Sequence, residues 1–233
     1  MLKLKNVTLV AVTSVHIDSH VKALEYSSKD IEFGEVKILS DIIPKNLPNY
    51  IKHEKIDKLS LPNGEGRGGG KDQWNYFMVY KLGSYINTDY AIIIHHDGFV
   101  VNACSWKDEF LEYDYIGAPW FLPTDNFSYR DVNNKIIRVG NSVGLRSKRL
   151  MDLPSKIDME WKPFHGYWNE DGFISVNNRH IFMEHGMNFA DLDVAKSFSH
   201  GCMIPEVVQD AMNGIKPFMF HRYDGVNSKY PKF

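Results

Sequence analysis

Tyr90-Ala91-Ile92-Ile93-Ile94-His95-His96-Asp97-Gly98 joins an apolar run directly to a polar turn. A run without alternation reads as a strand covered on both faces, as in the parallel sheet of an α/β domain. Such sheets take their ligands beyond the carboxyl ends of the strands, so the tetrad after Ile94 stands where a ligand would sit. A carboxylate flanked by imidazoles, with Gly98 for a tight turn, suits a divalent cation that bridges two phosphates of a nucleotide. The same tetrad also reads as an ordinary Asp-Gly turn.

On the N-terminal side, Val7 to Thr13 reads as a first buried strand, followed by a short helix with Val21 and Leu24 on one face. Glu35–Leu39 and Lys55–Leu61 read as the next strands, with Pro44 and Pro48 between them. Gln73–Ile86 carries a helical apolar stripe through Trp74, Phe77, Met78 and Tyr85. Trp106–Glu112 reads as a short helix, and Tyr113–Trp120 as a run into a loop. The glycine-rich segment Gly64–Lys71 reads as a mobile surface loop and not as a P-loop, because Asp72 stands where Ser or Thr is required. Strand and helix alternate, which predicts α/β architecture with a mostly parallel central sheet and flanking helices.

With 233 residues, 43% of them hydrophobic, the chain sustains one sizeable core, and a single domain over 1–233 is expected. Its 27 basic and 29 acidic residues leave a formal charge of −2, which argues against a nucleic-acid or anionic-membrane partner. Cys104 and Cys202 match no metal spacing and favour a reducing compartment. The N-terminus is strand-like, with neither a signal peptide nor an integral membrane segment, so a cytoplasmic location is expected.

Three further clusters carry candidate chemistry. Arg138–Ser147 is a β-like segment whose Gly140 and Gly144 would let a ligand lie against the backbone, or would mark a bulged edge strand. Tyr167-Trp168-Asn169-Glu170-Asp171 sets two acids after two aromatics. They read either as first-turn acids of a helix or as a sugar site in which Trp168 partly desolvates a general base. Lys216–Tyr223 puts His221 straight after an apolar strand. Folded back to Asp97 it would complete an oxygen-and-nitrogen site for Mn²⁺ or Mg²⁺; a structural histidine is the other reading, and His200 is a weaker candidate ligand.

In order, these pieces resemble a GT-A-type, Rossmann-like nucleotide-sugar glycosyltransferase. The stretch Asp97-Gly98, Trp106, Phe110-Leu111 and Tyr113 to Trp120 ("YDYIGAPW") resembles a family of small glycosyltransferase-like proteins. So do Val139 to Leu150, Glu170-Asp171 and Pro217-Phe218-Met219-Phe220-His221. The middle motifs are more distantly similar to the β-1,4-galactosyltransferases. Two positions depart from these patterns: His95 replaces the first acid of Asp-x-Asp, and Ser142-Val143 replaces a glycine and a small or aromatic residue.

The resemblance implies sugar transfer from a nucleoside diphosphate sugar, with UDP as the family-level choice, to a saccharide or other hydroxyl. Residues 1–125 would form the nucleotide half and 126–233 the acceptor half. Thr13, His16, His95, His96, Asp97 and Gly98 would border the donor, with Asp97 and His221 on the metal. Asp171 would be the base of an inverting reaction and Glu170 would hold acceptor hydroxyls, with Trp168, Asn141 and Trp120 lining the acceptor. A metal-dependent phosphohydrolase or nucleotidyltransferase, and a non-catalytic glycan-binding module, are the rival expectations.

Overall fold

The structure is a computed structural model in which residues 1–59, 73–162 and 169–233 are described. At its centre lies β4 (Tyr90–Ile94), paired in parallel with β1 (Leu2–Val12) in the register Val7↔Tyr90 through Ala11↔Ile94. On the far side of β1 come β2 (Ile31–Ser40) and β3 (Lys52–Lys55), both parallel. On the other side of β4 come β6 (Val139–Ser147) and then β5 (Tyr115–Pro119), each antiparallel to its neighbour. The six-stranded order is therefore β3-β2-β1-β4-β6-β5, a mixed sheet that is parallel through its first four strands.

Each face of the sheet is covered, which is why the β4 run shows no alternation. Leu9, Ala11, Ile92 and Ile94 pack on one side with Val21 and Leu24 of α1 (Ile17–Ser27). Val10, Val12, Ala91 and Ile93 pack on the other with Trp74, Phe77 and Met78 of α2 (Gln73–Tyr80). Ala91 to Ile94 are completely buried, worth on the order of 1.5–3 kcal/mol for each large aliphatic side chain.

Several expected elements are corrected. The third strand is Lys52–Lys55 where Lys55–Leu61 is expected: after Ile56 N donates to Ser40 O (3.2 Å), Ile56 and Leu59 are buried without a ladder, and Ser60 and Leu61 lie outside the described residues. This strand is almost wholly polar, as exposed edges are, and a hydrophobic pattern cannot find it. Its place is set by Glu54, which meets the buried Lys37 ammonium at 2.7 Å while Glu35 meets it at 2.9 Å. The helix expected through Ile86 stops at Tyr80 and continues as a 3₁₀ turn, Leu82–Tyr85, and Asp108–Glu112 is likewise 3₁₀. Tyr113–Trp120 contains β5 instead of running into a loop. Arg138–Ser147 contains β6, which is an inner strand and not an edge, and it does carry the irregularity: Gly117 pairs with Gly144 but Ala118 pairs with Gly140, leaving Asn141 to Val143 of β6 out of register. Gly64–Lys71 lies outside the described residues.

Gly117 shows why this pair of strands needs glycine. A Cβ there would sit 1.8 Å from the Gly140 carbonyl oxygen, a backbone atom that cannot rotate away. Gly117→Ala is expected to destabilise the protein by about 3 kcal/mol, read as a lower urea midpoint at unchanged m value.

After β6 the chain forms α3 (Lys148–Lys156), opened by Ser147, whose Oγ accepts from Leu150 N at 3.2 Å. It then forms the turn α4 (Glu170–Gly172), a π-helical stretch at Phe173–Asn177, α5 (Arg179–Glu184) and α6 (Leu192–Phe198). A two-stranded parallel pair, β7 (Ser199–His200) and β8 (Met219–Phe220), encloses α7 (Pro205–Met212). Among the described residues no helix is long and apolar enough to cross a membrane.

Candidate active site

The chain leaves β1 to build β2 and β3 on one side, then returns to place β4 on the other. The carboxyl ends of β1 and β4 thus flank the point where strand order reverses, which is where open α/β sheets form their ligand crevice. Thr13 and His16 leave β1 there, and His95 to Gly98 leave β4. The rings of His16 and His96 stack at a centroid separation of 4.9 Å.

The turn itself is closed by His95 N donating to Gly98 O (2.8 Å) and Gly98 N donating to His95 O (3.2 Å). The C-terminal segment is stitched onto it. Phe220 N donates to Phe99 O (3.2 Å) and Arg222 N to Asp97 O (2.7 Å), so His221 is carried against the turn. Gly98 makes room for that approach, because a Cβ would lie 2.7 Å from His221 Cδ2.

His95, Asp97 and His221 each offer a donor atom, all within 4.8 Å of one another, and His221 Nε2 lies 3.7 Å from Asp97 Oδ1. Burial depresses both imidazoles, His95 to about 3 and His221 to about 4, so each is neutral at pH 7 with a lone pair free to ligate. Asp97 lies below the usual carboxylate range, burial being outweighed by the facing His221, His95 and His96. The contact is thus no ordinary salt bridge, and His221 Nδ1 is buried without a hydrogen-bond partner. Two neutral nitrogens and one carboxylate oxygen fit a divalent cation.

His20, which sequence reasoning missed, is buried four residues after His16. Its Nδ1 meets His16 O at 2.9 Å and its ring lies 5.0 Å from His96. The i, i+4 spacing on a helix was the available signal. Trp74 closes the site from α2, with Nε1 donating to Val12 O (2.9 Å) and its ring 5.5 Å from His95.

Glu170 and Asp171 form a second centre. Glu170 is completely enclosed: its N donates to Asn75 Oδ1 (3.1 Å), and Oε1 accepts from Arg146 Nη2 at 2.9 Å. Arg146, a buried residue of β6 over the Tyr115 ring, was not singled out from the sequence, because one arginine in a strand carries no pattern. Burial, reinforced by the Glu170 charge, pushes Asp171 up to about 7. Its Oδ1 accepts from Gly172 N at 2.7 Å.

The two centres share neighbours. Arg146 acts electrostatically on both His95 and Asp171. Arg222 acts on His221, and also on Tyr129 and Cys202, which in turn sense Asp171. Trp120 is buried over Gly140 and stacks on Tyr129 at 4.7 Å. Asn141 is buried beside them with its Oδ1 accepting from Val143 N (3.3 Å) and its O accepting from Tyr115 Oη (2.8 Å). His200, buried in β7, is outside the His95–Asp97–His221 set, though its O accepts from His221 N at 2.9 Å. Trp168 lies outside the described residues. His16 (φ 48°), Asn141 (φ 96°) and Arg222 (φ 68°) hold left-handed backbone around these centres, a strain of order 1–3 kcal/mol each that the surrounding structure enforces.

This fold, with polar residues gathered at the β1/β4 switch point, is GT-A-like. An active-site mutant of LgtC superimposes with a TM-score of 0.54 at 14% identity, covering 94% of this chain and 88% of LgtC. The apo form of the glycosyltransferase GlyE from Streptococcus pneumoniae TIGR4 aligns over 92% of this chain and 53% of its own, at 10% identity and TM-score 0.45. Residues 72–221 match DUF5672, described as a protein of unknown function, and the chain belongs to that family. No curated protein matches the sequence.

Proposed function

We propose that the protein is a metal-assisted glycosyltransferase that moves a sugar from a nucleoside diphosphate sugar, UDP-sugars being the first choice, to a saccharide or other hydroxyl acceptor. The observation that carries this reading is the convergence of His95, Asp97 and His221 at the switch point of a GT-A-like sheet. Residues 1–125 would supply the nucleotide side, through Thr13, His16, His96 and Gly98, and residues 126–233 the acceptor side.

In the reaction the bond between the anomeric carbon and the diphosphate oxygen breaks, and a bond from that carbon to the acceptor oxygen forms. The acceptor proton passes to an Asp171 oxygen, whose elevated affinity for protons matches a base working near neutrality. Glu170, engaged by Arg146, fixes the start of α4 and so the position of Asp171. Asn141, Trp120 and Trp168 would line the acceptor. A bound Mn²⁺ or Mg²⁺ supplies positive charge where negative charge develops on the leaving diphosphate. With Asp171 opposite the leaving group the anomeric centre inverts, which NMR of the product checks directly.

The test is a thermal-shift panel of UDP-, GDP-, CMP- and dTDP-sugars with and without Mn²⁺. At about 100 times its dissociation constant the right donor stabilises by about 2.7 kcal/mol, an expected rise of about 5–10 °C that needs the metal. No shift with any nucleotide on folded protein would refute the donor site, and sugar released only to water would indicate a hydrolase.

A further inference from the structure

We infer that Arg179 is a subsite for an oxyanion carried by the acceptor, so that the acceptor is an acidic saccharide bearing a carboxylate or a phosphate. The inference deepens the proposed function and rests on its acceptor side, but binding of the anion can be read without any sugar transfer.

Arg179 opens α5 just after the π-helical stretch, with its guanidinium carbon 4.3 Å from the centre of the Phe189 ring and its Nη1 buried without a hydrogen-bond partner. Arg138, Arg146 and Arg149 each meet a carboxylate, of Glu206, Glu170 and Asp114, whereas among the described residues Arg179 has no ion pair. The acid that acts on it, Asp131, is engaged in its own turn, where Oδ1 accepts from Asn133 N and Lys135 N, both at 2.9 Å. Burial lowers the affinity of this guanidinium for its proton, and Asp131 and Tyr115 offset that only in part. A ring face attracts the cation but offers no lone pair to its five N–H donors.

A guanidinium drawn out of water with no counter-charge is a cost that the free protein bears. A carboxylate or phosphate removes it, because its oxygens match the planar fork with parallel hydrogen bonds. The position ties that anion to the acceptor. Trp120, Ile137 and Val176 form one buried cluster with Tyr129 packed against it. Arg179 follows Val176 by three residues and Asp131 follows Tyr129 by two, so the segments that carry the proposed acceptor wall also carry the arginine. Arg130 Nε, beside Asp131, is likewise buried without an acceptor. Donors that gather without acceptors call for a ligand group that only accepts, which an ionised carboxylate or phosphate does.

The experiment follows melting of the full chain, without metal or nucleotide and at fixed ionic strength, against glucuronate, glucose 6-phosphate, glucose and inorganic phosphate. Both acidic sugars should raise the melting temperature, by about 3–6 °C at about ten times their dissociation constants, and glucose should not. Arg179→Met should lose that rise. Without anion it should melt no lower than wild type, because it takes a solitary charge out of the interior at nearly constant volume. In transfer assays wild type should favour a glucuronate acceptor over a glucose acceptor by about tenfold or more in kcat/KM, and the preference should vanish in the variant. No rise with either acidic sugar in wild type, or a variant that melts well below it, would overturn the proposal. So would a rise with inorganic phosphate alone, which marks a site for a free anion. The wild-type melting series decides even if the variant misfolds. Failure of the transferase reading would show separately, as an Arg179-dependent rise with acidic sugars and no turnover of any acceptor.

Discussion

Asp171→Asn is expected to lower transfer by about 10²–10⁴-fold while leaving the metal- and nucleotide-dependent thermal shift at its wild-type size. The amide keeps the shape and can still accept from Gly172 N, but it cannot take the acceptor's proton. Donor binding lost together with turnover would refute the assignment of the base. The wild-type rate should climb as pH rises through about 7, where the raised carboxyl of Asp171 ionises, and that step should vanish from the residual activity of the variant.

The same residue makes a stability prediction of definite sign. A carboxyl whose folded pKa lies above its unfolded value binds its proton more tightly in the native state. Its favourable contribution is complete below about pH 4 and is lost as pH rises to about 7. At pH 8 the ionised side chain is a burden on the fold, because burial and the like charge of Glu170 both disfavour it. Asp171→Asn should therefore melt higher than wild type at pH 8 and show little difference at pH 4. A variant less stable than wild type at pH 8 would mean that Asp171 is structural.

Glu170→Ala is expected to cost about 3–5 kcal/mol, because it strands the Arg146 guanidinium in the protein interior with its Nη1 already lacking a partner. Replacing both, Arg146→Met with Glu170→Leu, should recover most of that loss, since no charge is then left buried. Urea unfolding of Arg146→Met, Glu170→Leu and the double closes the cycle. Additive losses would show that the pair is not coupled and that Glu170 is free to hold an acceptor. Strong coupling would assign it to positioning Asp171 through the Asn75 and Arg146 contacts.

The central strands β1 and β4 were legible because burial on both faces writes itself into sequence as an unbroken apolar run, and β2 was legible from its β-branched and apolar residues despite Lys37 within it. The pattern does not locate β3 or distinguish β5 from a loop, for related reasons. A polar edge strand has no hydrophobic signature. The short β5, which contains Gly and Pro, is a strand only because Gly117 and Gly144 allow its backbone and that of β6 to approach. Asp114, near the start of the Tyr113–Trp120 motif, proves to be a clamp: its carboxylate accepts from Arg149 Nε (2.6 Å) and Asn188 N (2.8 Å). A motif in sequence does not say whether it recurs for packing or for chemistry.

The sequence by itself determined the α/β class, the polar turn at the end of β4, the strand that delivers His221 and the adjacency of Glu170 and Asp171, because each follows from local pattern along a few residues. Only the tertiary structure decided that His95 faces His221, that His20 lies under His96, and that Arg146 takes Glu170 and leaves Asp171 with its raised affinity for protons. Those outcomes depend on which residues, up to 126 positions apart as for His95 and His221, are brought together at one end of one sheet. Desolvation and pairing are properties of that three-dimensional neighbourhood, and no spacing along the chain records them.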